Sequence, residues 1–475
     1  MANVTENNYR NIPTLIVIFG ATGDLSTKKL IPAIFDLYNK EMLPAPFKVV
    51  GFSRAPRSDT DFRAFARSAI EAKGNKISDT HIKKFLEHFH YHGGLFEDPE
   101  AYLSLGEHSM ELDKKFGGCS NKLFYLAVPP VSYEPILRNL ADSGLTIPCS
   151  RKEGWTRVLL EKPFGNDIET AIKLDKMLGL LFREEQIFRI DHYLAKETIQ
   201  DILLFRFSNV MFEPTWNNKY IEKVEIKLFE TAGIEGRGAF YDGIGSLRDV
   251  GQNHILQMLA AIAMENPGEL ASDPIRGKRA EVLHSLVPIK KSDIPKQVIR
   301  GQYKEYAKMK GVASRSKTET YFKIEAHIGN DRWRGVPFFL ESGKKMGERK
   351  TEVSVYFKKT ESCLCPPEAE QHHQNVLTFR IQPDEGISVL FWAKKPGFAV
   401  MLEPKKMSFL YKQPEEETML TDAYERVLFD CIRGDQTLFT STDEVLAAWK
   451  FITSIIKNWE EAPLTKYDAE FLGIS

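Results

Sequence analysis

Cysteine is scarce in this chain: Cys119, Cys149, Cys363, Cys365 and Cys431 are the only five among 475 residues. That density excludes a disulfide-framed scaffold and makes reduced thiols the expectation. An excess of positive charge is also missing. Lys and Arg number 64 against 65 Asp and Glu, a formal net charge of −1. No overall basic field exists to draw the protein to nucleic acid or an anionic membrane, so any anion must be bound locally. No apolar run approaches the length of a bilayer span, and the opening MANVTENNYRNIP lacks the basic and apolar stretches of a secretory signal. A cytoplasmic protein is expected. Two clusters raise the question of a metal, HFHYH (His88, His90, His92) and CLCPPEAEQHH (Cys363, Cys365, His372, His373). Neither has a standard zinc spacing, and no metal is expected.

What is present is ordinary globular material, 43% hydrophobic and 27% charged, in a chain long enough for two or three compact units. The first part alternates strand-like and helix-like segments. TLIVIFG (14–20), FKVVGFS (47–53), KLFYLAVPP (122–130) and RVLLEKP (157–163) are apolar runs, each followed by a segment with helical spacing. Such strands argue for a parallel sheet covered on both faces, a Rossmann-like doubly wound α/β domain over residues 1–190. Beyond about residue 200 the pattern changes. EKVEIKLFE (222–230), TYFKIEAHI (320–328), TEVSVYFKK (351–359), NVLTFRIQP (375–383) and ISVLFWAKK (387–395) follow one another without a helix after each. They predict a larger α+β domain over residues 191–475 with a mainly antiparallel sheet, against which an apolar helix from about Leu247 to Met264 packs.

Chemistry concentrates in a few stretches. GATGDLSTKK (20–29) closes the first strand and opens the first helix, where glycines admit a pyrophosphate to unpaired backbone N–H groups. Two glycines after a strand also make a plain tight turn. Walker A chemistry is excluded, because Asp24 and its neighbours stand where Gly-Lys-Ser/Thr is needed. The second strand ends in Gly51-Phe-Ser-Arg54, with no acid to grip a ribose 2′-hydroxyl and an arginine suited to a 2′-phosphate, which favours NADP over NAD; a surface arginine is the alternative. VLLEKPFGND (158–167) puts Glu161, Lys162 and Pro163 at the carboxyl end of a parallel strand, with the proline a candidate for a cis peptide. RIDHYLAKE (189–197) packs an arginine, an aspartate, a histidine, a tyrosine, a lysine and a glutamate into nine positions, more specific chemistry than a solvated helix face requires.

With RIDHYLAKE and YDGIGSLRDVGQNHILQ (241–257) in hand, the chain resembles the glucose-6-phosphate dehydrogenase family. The blocks EKPFG, RIDHYLAKE, EGRG, RDVGQNH and GKKMGERK occur in the family's order. The resemblance implies oxidation of glucose 6-phosphate to 6-phosphogluconolactone with hydride transfer to NADP, the entry step of the pentose phosphate route, by a homodimer or homotetramer. It implies His254 as general base and Asp191 as the carboxylate that orients it. Its phosphate clamp falls on His192, Tyr193 and Lys196, its sugar and nicotinamide contact on Lys162, and its remaining substrate wall on Glu230, Asp249, Lys344, Arg349 and Gln382. On the cofactor side it implies Gly20, Thr22, Gly23, Asp24, Leu25, Lys29 and Arg54, with Ala127, Val128 and Pro129 along the adenosine or nicotinamide path. Residue by residue these types suit the roles: an imidazole titrates near neutral pH, cationic and phenolic donors match a phosphate, and carboxylates accept from sugar hydroxyls. A capping histidine and a solvated helix lysine remain the alternatives for His254 and Lys29.

The sequence also departs from the family's pattern. Ala195 replaces the glycine usual in LGKE, a mild change. Leu390 stands where members with a second, structural NADP carry a lysine, and YDAEFLGIS stops short of the usual glycine-proline and tryptophan-containing tail, so no structural cofactor site is expected.

Overall fold

The run Leu15–Phe19 is apolar at every position, and none of those side chains is more than 1% exposed. A strand this uniformly apolar needs cover on both faces, and a parallel sheet with helices on each side supplies it. The computed structural model describes residues 9–74, 78–148, 154–359, 373–411 and 421–473. Cys149, Cys363, Cys365 and His372 lie outside the described residues.

Six strands form the parallel part of the first sheet: β1 (Thr14–Phe19), β2 (Phe47–Ser53), β3 (Phe89–Gly93), β4 (Asn121–Leu126), β5 (Thr156–Leu160) and β6 (Ile187–Ile190). Their spatial order is 3-2-1-4-5-6, with a short late strand, Phe439–Thr440, antiparallel at the β6 edge. The order reverses between β1 and β4, and the crevice beyond the carboxyl ends of those strands is where open α/β sheets bind ligands. The histidines of HFHYH are structural here: His88 Nδ1 lies 3.0 Å from Phe47 O, His90 Nδ1 lies 3.0 Å from Asp59 Oδ2, and His92 Nε2 lies 3.0 Å from Ala101 O.

The second sheet is built from β7 (Ile221–Phe229), β8 (Val298–Tyr303), β9 (Tyr321–His327), β10 (Pro337–Gly343), β11 (Lys350–Phe357), β12 (Val376–Gln382), β13 (Gly386–Lys394) and β14 (Leu402–Leu410). With the C-terminal strand Leu464–Tyr467 it runs in the order 14-13-12-11-7-10-9-8 and then that strand. It is mainly antiparallel, as the successive strands predicted, but β10 pairs β7 in parallel and the C-terminal strand pairs β8 in parallel.

A π-helical stretch, Leu247–Ile255, continues as the α-helix Leu256–Ala263, and every side chain of the latter is buried. Such a helix cannot leave its terminal carbonyls unpaired in an apolar interior. Trp216 Nε1 donates to Ile262 O and Trp333 Nε1 to Ala263 O, both at 2.8 Å, and Arg206 Nη1 donates to Met264 O at 2.5 Å. At the other end Glu319 Oε1 accepts from Leu247 N–H at 3.0 Å. The helix approaches β9 closely at Gly251, where a Cβ would come within 2.9 Å of the Phe322 ring.

Contacts divide the chain into two units: Met1–Gly165 with Glu169–Ala195 and Thr421–Thr442, and Asn166–Ile168 with Lys196–Leu420 and Asp443–Ser475. The division expected at residue 190 differs from this. The first unit runs on through Ala195 and regains Thr421–Thr442, because Phe439–Thr440 extends the parallel sheet and Arg157 donates to the Cys431 and Ile432 carbonyls at 2.7 and 2.8 Å. One thiol expectation is also corrected. Cys119 is disulfide-bonded, whereas Cys431 is a free buried thiol. A low cysteine count bounds the chain as a whole and does not register whether the fold brings one pair together. Among the described residues no helix is long and apolar enough to cross a membrane, and no group of His, Cys, Asp and Glu is arranged to hold a metal ion.

Candidate active site

In the first unit the turn after β1 sits at the switch point. Gly20 has φ +78°, and a Cβ there would come within 2.4 Å of Ala127 O, so the position requires glycine on both conformational and steric grounds. The turn is closed by Gly23 N–H donating to Gly20 O at 2.9 Å and by Ser26 Oγ donating to the same carbonyl at 3.1 Å. Thr22 donates from both N–H and hydroxyl to Ser53 Oγ at 3.4 Å, tying the turn to the end of β2. Ala127 N–H donates to Phe19 O at 3.0 Å, which sets Ala127–Pro129 beside the glycines. Asp24 is turned to solvent and pairs with Lys28 at 3.1 Å, while Lys29 reaches Asp422 at 3.4 Å and lies 5.8 Å from the Tyr424 ring centre. Arg54 is exposed beyond β2 with its guanidinium 6.0 Å from the Phe96 ring centre. A glycine turn at a helix start, packed against the Ala127 backbone at the switch point of the sheet, fits the pyrophosphate of a dinucleotide.

At the end of β5, Tyr125 donates to Glu161 Oε1 at 2.6 Å and Tyr133 donates to Glu161 O at 2.6 Å, so the residue before Lys162 is held by side chain and backbone. The Lys162–Pro163 peptide is cis. Glu161 keeps partial exposure as a residue, but its carboxyl lies in an enclosed position where burial pushes the pKa up to about 7. The Tyr125 hydrogen bond and Lys162 oppose that rise, and the Asp191 charge adds to it. Just after β6, Asp191 is 2% exposed and its Oδ1 accepts from Tyr193 N–H at 3.0 Å. The His192 ring stands 5.0 Å from that of Tyr193 and 6.2 Å from that of Tyr424.

The second unit holds the other residues. Lys344, at the end of β10, is 6% exposed in its side chain, with Nζ 2.5 Å from Glu230 Oε2 and 3.6 Å from Asp249 Oδ2. Its ammonium also stands 5.3 Å from the Tyr241 ring centre. Three residues from separate stretches of sequence thus meet in one charged cluster, with Asp249 on the π-helical stretch that also carries His254. Bulged helical turns of that kind occur often at functional sites. His254 is 3% exposed, and its backbone N–H is taken by Asn253 Oδ1 at 2.7 Å. The Asn253 amide donates to Arg248 O and Asp249 O at 3.3 and 3.1 Å, fixing the turn in place. Arg349 donates to Gln382 at 3.2 Å, and Lys196 lies 3.8 Å from Glu385.

Asp191, His192 and Tyr193 belong to the first unit and Lys196 to the second, so the boundary divides RIDHYLAKE itself. Sequence reasoning missed Tyr125, Tyr133 and Tyr424 as the surroundings of Glu161 and His192. Glu161 was visible inside EKPFG, but Tyr424 is too distant in sequence for any local pattern to connect it with either residue.

A carboxyl whose folded pKa lies above its ordinary 4.5 binds more protons folded than unfolded, so it lowers stability as pH rises between those values. Replacing Glu161 by Gln removes that contribution. Urea midpoints of Glu161→Gln therefore depend less on pH between about 5 and 7 than those of the parent. Parallel curves for the two proteins would show that Glu161 does not titrate in this window.

Residues 17–201 match the glucose-6-phosphate dehydrogenase NAD-binding domain, and residues 203–474 match its C-terminal domain. The glucose-6-phosphate 1-dehydrogenase of Chlamydia muridarum is 40% identical over 470 residues, covering 94% of this chain and 91% of that protein. That of Aggregatibacter actinomycetemcomitans is 41% identical over 465 residues, covering 96% and 92%. Among solved structures, a glucose-6-phosphate dehydrogenase in complex with its substrate glucose-6-phosphate superposes with a TM-score of 0.90 at 32% identity, covering 98% of this chain and 96% of that one. Both domains are matched in order along nearly the whole sequence, and the chain belongs to the glucose-6-phosphate dehydrogenase family.

Proposed function

We propose that this protein oxidises glucose 6-phosphate to 6-phosphogluconolactone, with NADP as the preferred cofactor. The observation that carries the reading is the convergence of Lys344, Glu230 and Asp249 next to the helical turn of His254, in a chain whose relatives bear that activity in their names. A buried lysine flanked by two carboxylates offers alternating donors and acceptors, which suits a row of sugar hydroxyls.

In this reaction the C1 hydroxyl gives its proton to the His254 imidazole, the C1–H bond breaks with its electron pair, and C1=O forms. The nicotinamide, when bound, supplies the hydride acceptor. Asp191 is assigned the task of holding the imidazole in the correct tautomer and stabilising the imidazolium as it forms. His192, Tyr193 and Lys196 take the 6-phosphate, so that the anchored far end of the sugar fixes where C1 stands. Lys162 contacts the sugar and the nicotinamide, while Arg349 and Gln382 complete the substrate wall. Gly20, Thr22, Gly23, Asp24, Leu25 and Lys29 with Ala127, Val128 and Pro129 receive the dinucleotide, and Arg54 its 2′-phosphate.

A cytoplasmic homodimer belongs to the same reading. The support for the dimer is the outer strand β14, which leaves Met407 62% and Phe409 43% exposed on one face. Sedimentation equilibrium at micromolar concentration should return twice the chain mass, and a monomer would remove this part of the proposal.

His254→Asn keeps the ring's approximate size without a base. We expect kcat for NADPH formation to fall by roughly 10²–10⁴-fold with KM for glucose 6-phosphate little changed. Turnover near the parent's would take His254 out of the base role. For Arg54→Ala, the ratio of kcat/KM with NADP to that with NAD should drop roughly ten- to a hundredfold, the range for a charge-assisted contact. An unchanged ratio would mean that Arg54 does not read the 2′-phosphate.

A further inference from the structure

Both backbone groups of Lys344 are held. Its N–H donates to Thr320 O at 2.9 Å, and its carbonyl accepts from the Tyr467 hydroxyl at 2.6 Å. Thr320 O also lies 3.2 Å from that hydroxyl, but the contact is longer and this carbonyl already takes the Lys344 N–H. Tyr303 N–H donates to Thr320 Oγ1 at 3.0 Å, and Thr320 Oγ1 is 2.8 Å from Tyr467 Oη. With the threonine proton directed to Tyr467 Oη, the tyrosine proton is free for Lys344 O. Each bond in such a buried relay polarises the next. Burial also raises the pKa of the phenol, which keeps it a donor.

Tyr467 reaches this place from the C-terminal strand, whose residues Leu464–Tyr467 pair with Arg300–Tyr303 of β8. The chain then closes over the turn after Lys344. Gly347 N–H donates to Phe471 O at 3.0 Å, and Glu470 N–H donates to Lys345 O at 3.3 Å. Lys345 itself has φ +56°, a region disfavoured for a residue with a side chain and kept only where its surroundings impose it. On the opposite side Glu230 N–H donates to Gly343 O at 2.9 Å and Met346 N–H to Glu230 O at 3.0 Å. The backbones of Glu230 and Lys344 are therefore set against one another, and the tyrosine hydroxyl is the side-chain anchor of the Lys344 carbonyl.

We propose that Tyr467 is a positioning residue for substrate binding, its hydroxyl fixing the Lys344 peptide so that the ammonium stands between Glu230 and Asp249 where the sugar is received. The inference rests on the functional reading of Lys344 given above. Without the hydroxyl the peptide between Lys344 and Lys345 keeps only its other bond, Lys345 N–H to Ala232 O at 3.1 Å, and loses the contact that fixes its tilt and with it the placement of the ammonium between the two carboxylates.

Tyr467→Phe keeps the ring and removes one oxygen. For this variant KM for glucose 6-phosphate should rise roughly three- to tenfold, the range for one buried hydrogen bond, with a smaller change in kcat and none in KM for NADP. Lys344→Ala tests the underlying reading on its own and should raise the same KM by at least as much. In the double variant the tyrosine change should add nothing to the lysine change, because it acts through that residue. If Lys344→Ala raises KM for glucose 6-phosphate and Tyr467→Phe leaves it within twofold of the parent, the positioning inference fails and the reading of Lys344 stands. If Lys344→Ala has no effect on that KM, the reading itself fails and takes the inference with it. A Tyr467→Phe protein that loses thermal stability and affinity for both ligands together would overturn the inference in favour of a purely structural role.

Discussion

A lysine ammonium placed where its side chain is 6% exposed must be paired, and the second unit is arranged around that requirement at Lys344. Its partners arrive from different directions: Glu230 beyond the end of β7, Asp249 from the helical turn, and Tyr241 from a short preceding helix. The parallel pairing of β10 with β7, an exception in a mainly antiparallel sheet, brings Gly343 opposite Phe229 and so puts Lys344 beside Glu230. An antiparallel pairing of the same two strands would send their carboxyl ends to opposite edges of the sheet. The charge cluster therefore depends on a topological choice that no local residue pattern reveals.

The helix of His254 is constrained from the same sheet. Gly251 lets it approach β9, Glu319 occupies its first N–H, and two tryptophans and an arginine take up the carbonyls at its far end. A helix buried on all sides has no water to satisfy its ends, so the protein supplies donors from its own side chains. These attachments hold Asp249 and His254 on a turn that departs from regular α-helix. In the first unit the corresponding constraint is backbone packing: Gly20 lies directly against Ala127 O and the Val128 side chain at the place where the strand order reverses.

Much of this was legible along the chain. The apolar runs at 14–20, 47–53, 122–130 and 157–163 coincide with β1, β2, β4 and β5, and the period-two alternation of NVLTFRIQP becomes the alternating burial of β12. Period and composition act over a few residues, and these elements are decided over a few residues. The strands β6, β8, β10 and β14 and the C-terminal strand were not recognised. β14 has seven exposed residues in succession and carries little apolar pattern to read. The return of Thr421–Thr442 to the first unit was missed for a related reason, since it depends on segments far apart in sequence.

The sequence by itself determined which residue types were available and roughly where: glycines after the first strand, an arginine after the second, the acids, lysines and histidines of EKPFG, RIDHYLAKE, RDVGQNH and GKKMGERK. Only the tertiary structure decided which of them meet, that Lys344 is buried between Glu230 and Asp249, that Glu161 is capped by Tyr125, and that Tyr467 anchors the peptide of Lys344. The physical reason is range. Propensity and periodicity are properties of neighbours along the backbone, whereas burial and charge pairing are set here by strands and turns from 36 to 123 residues apart.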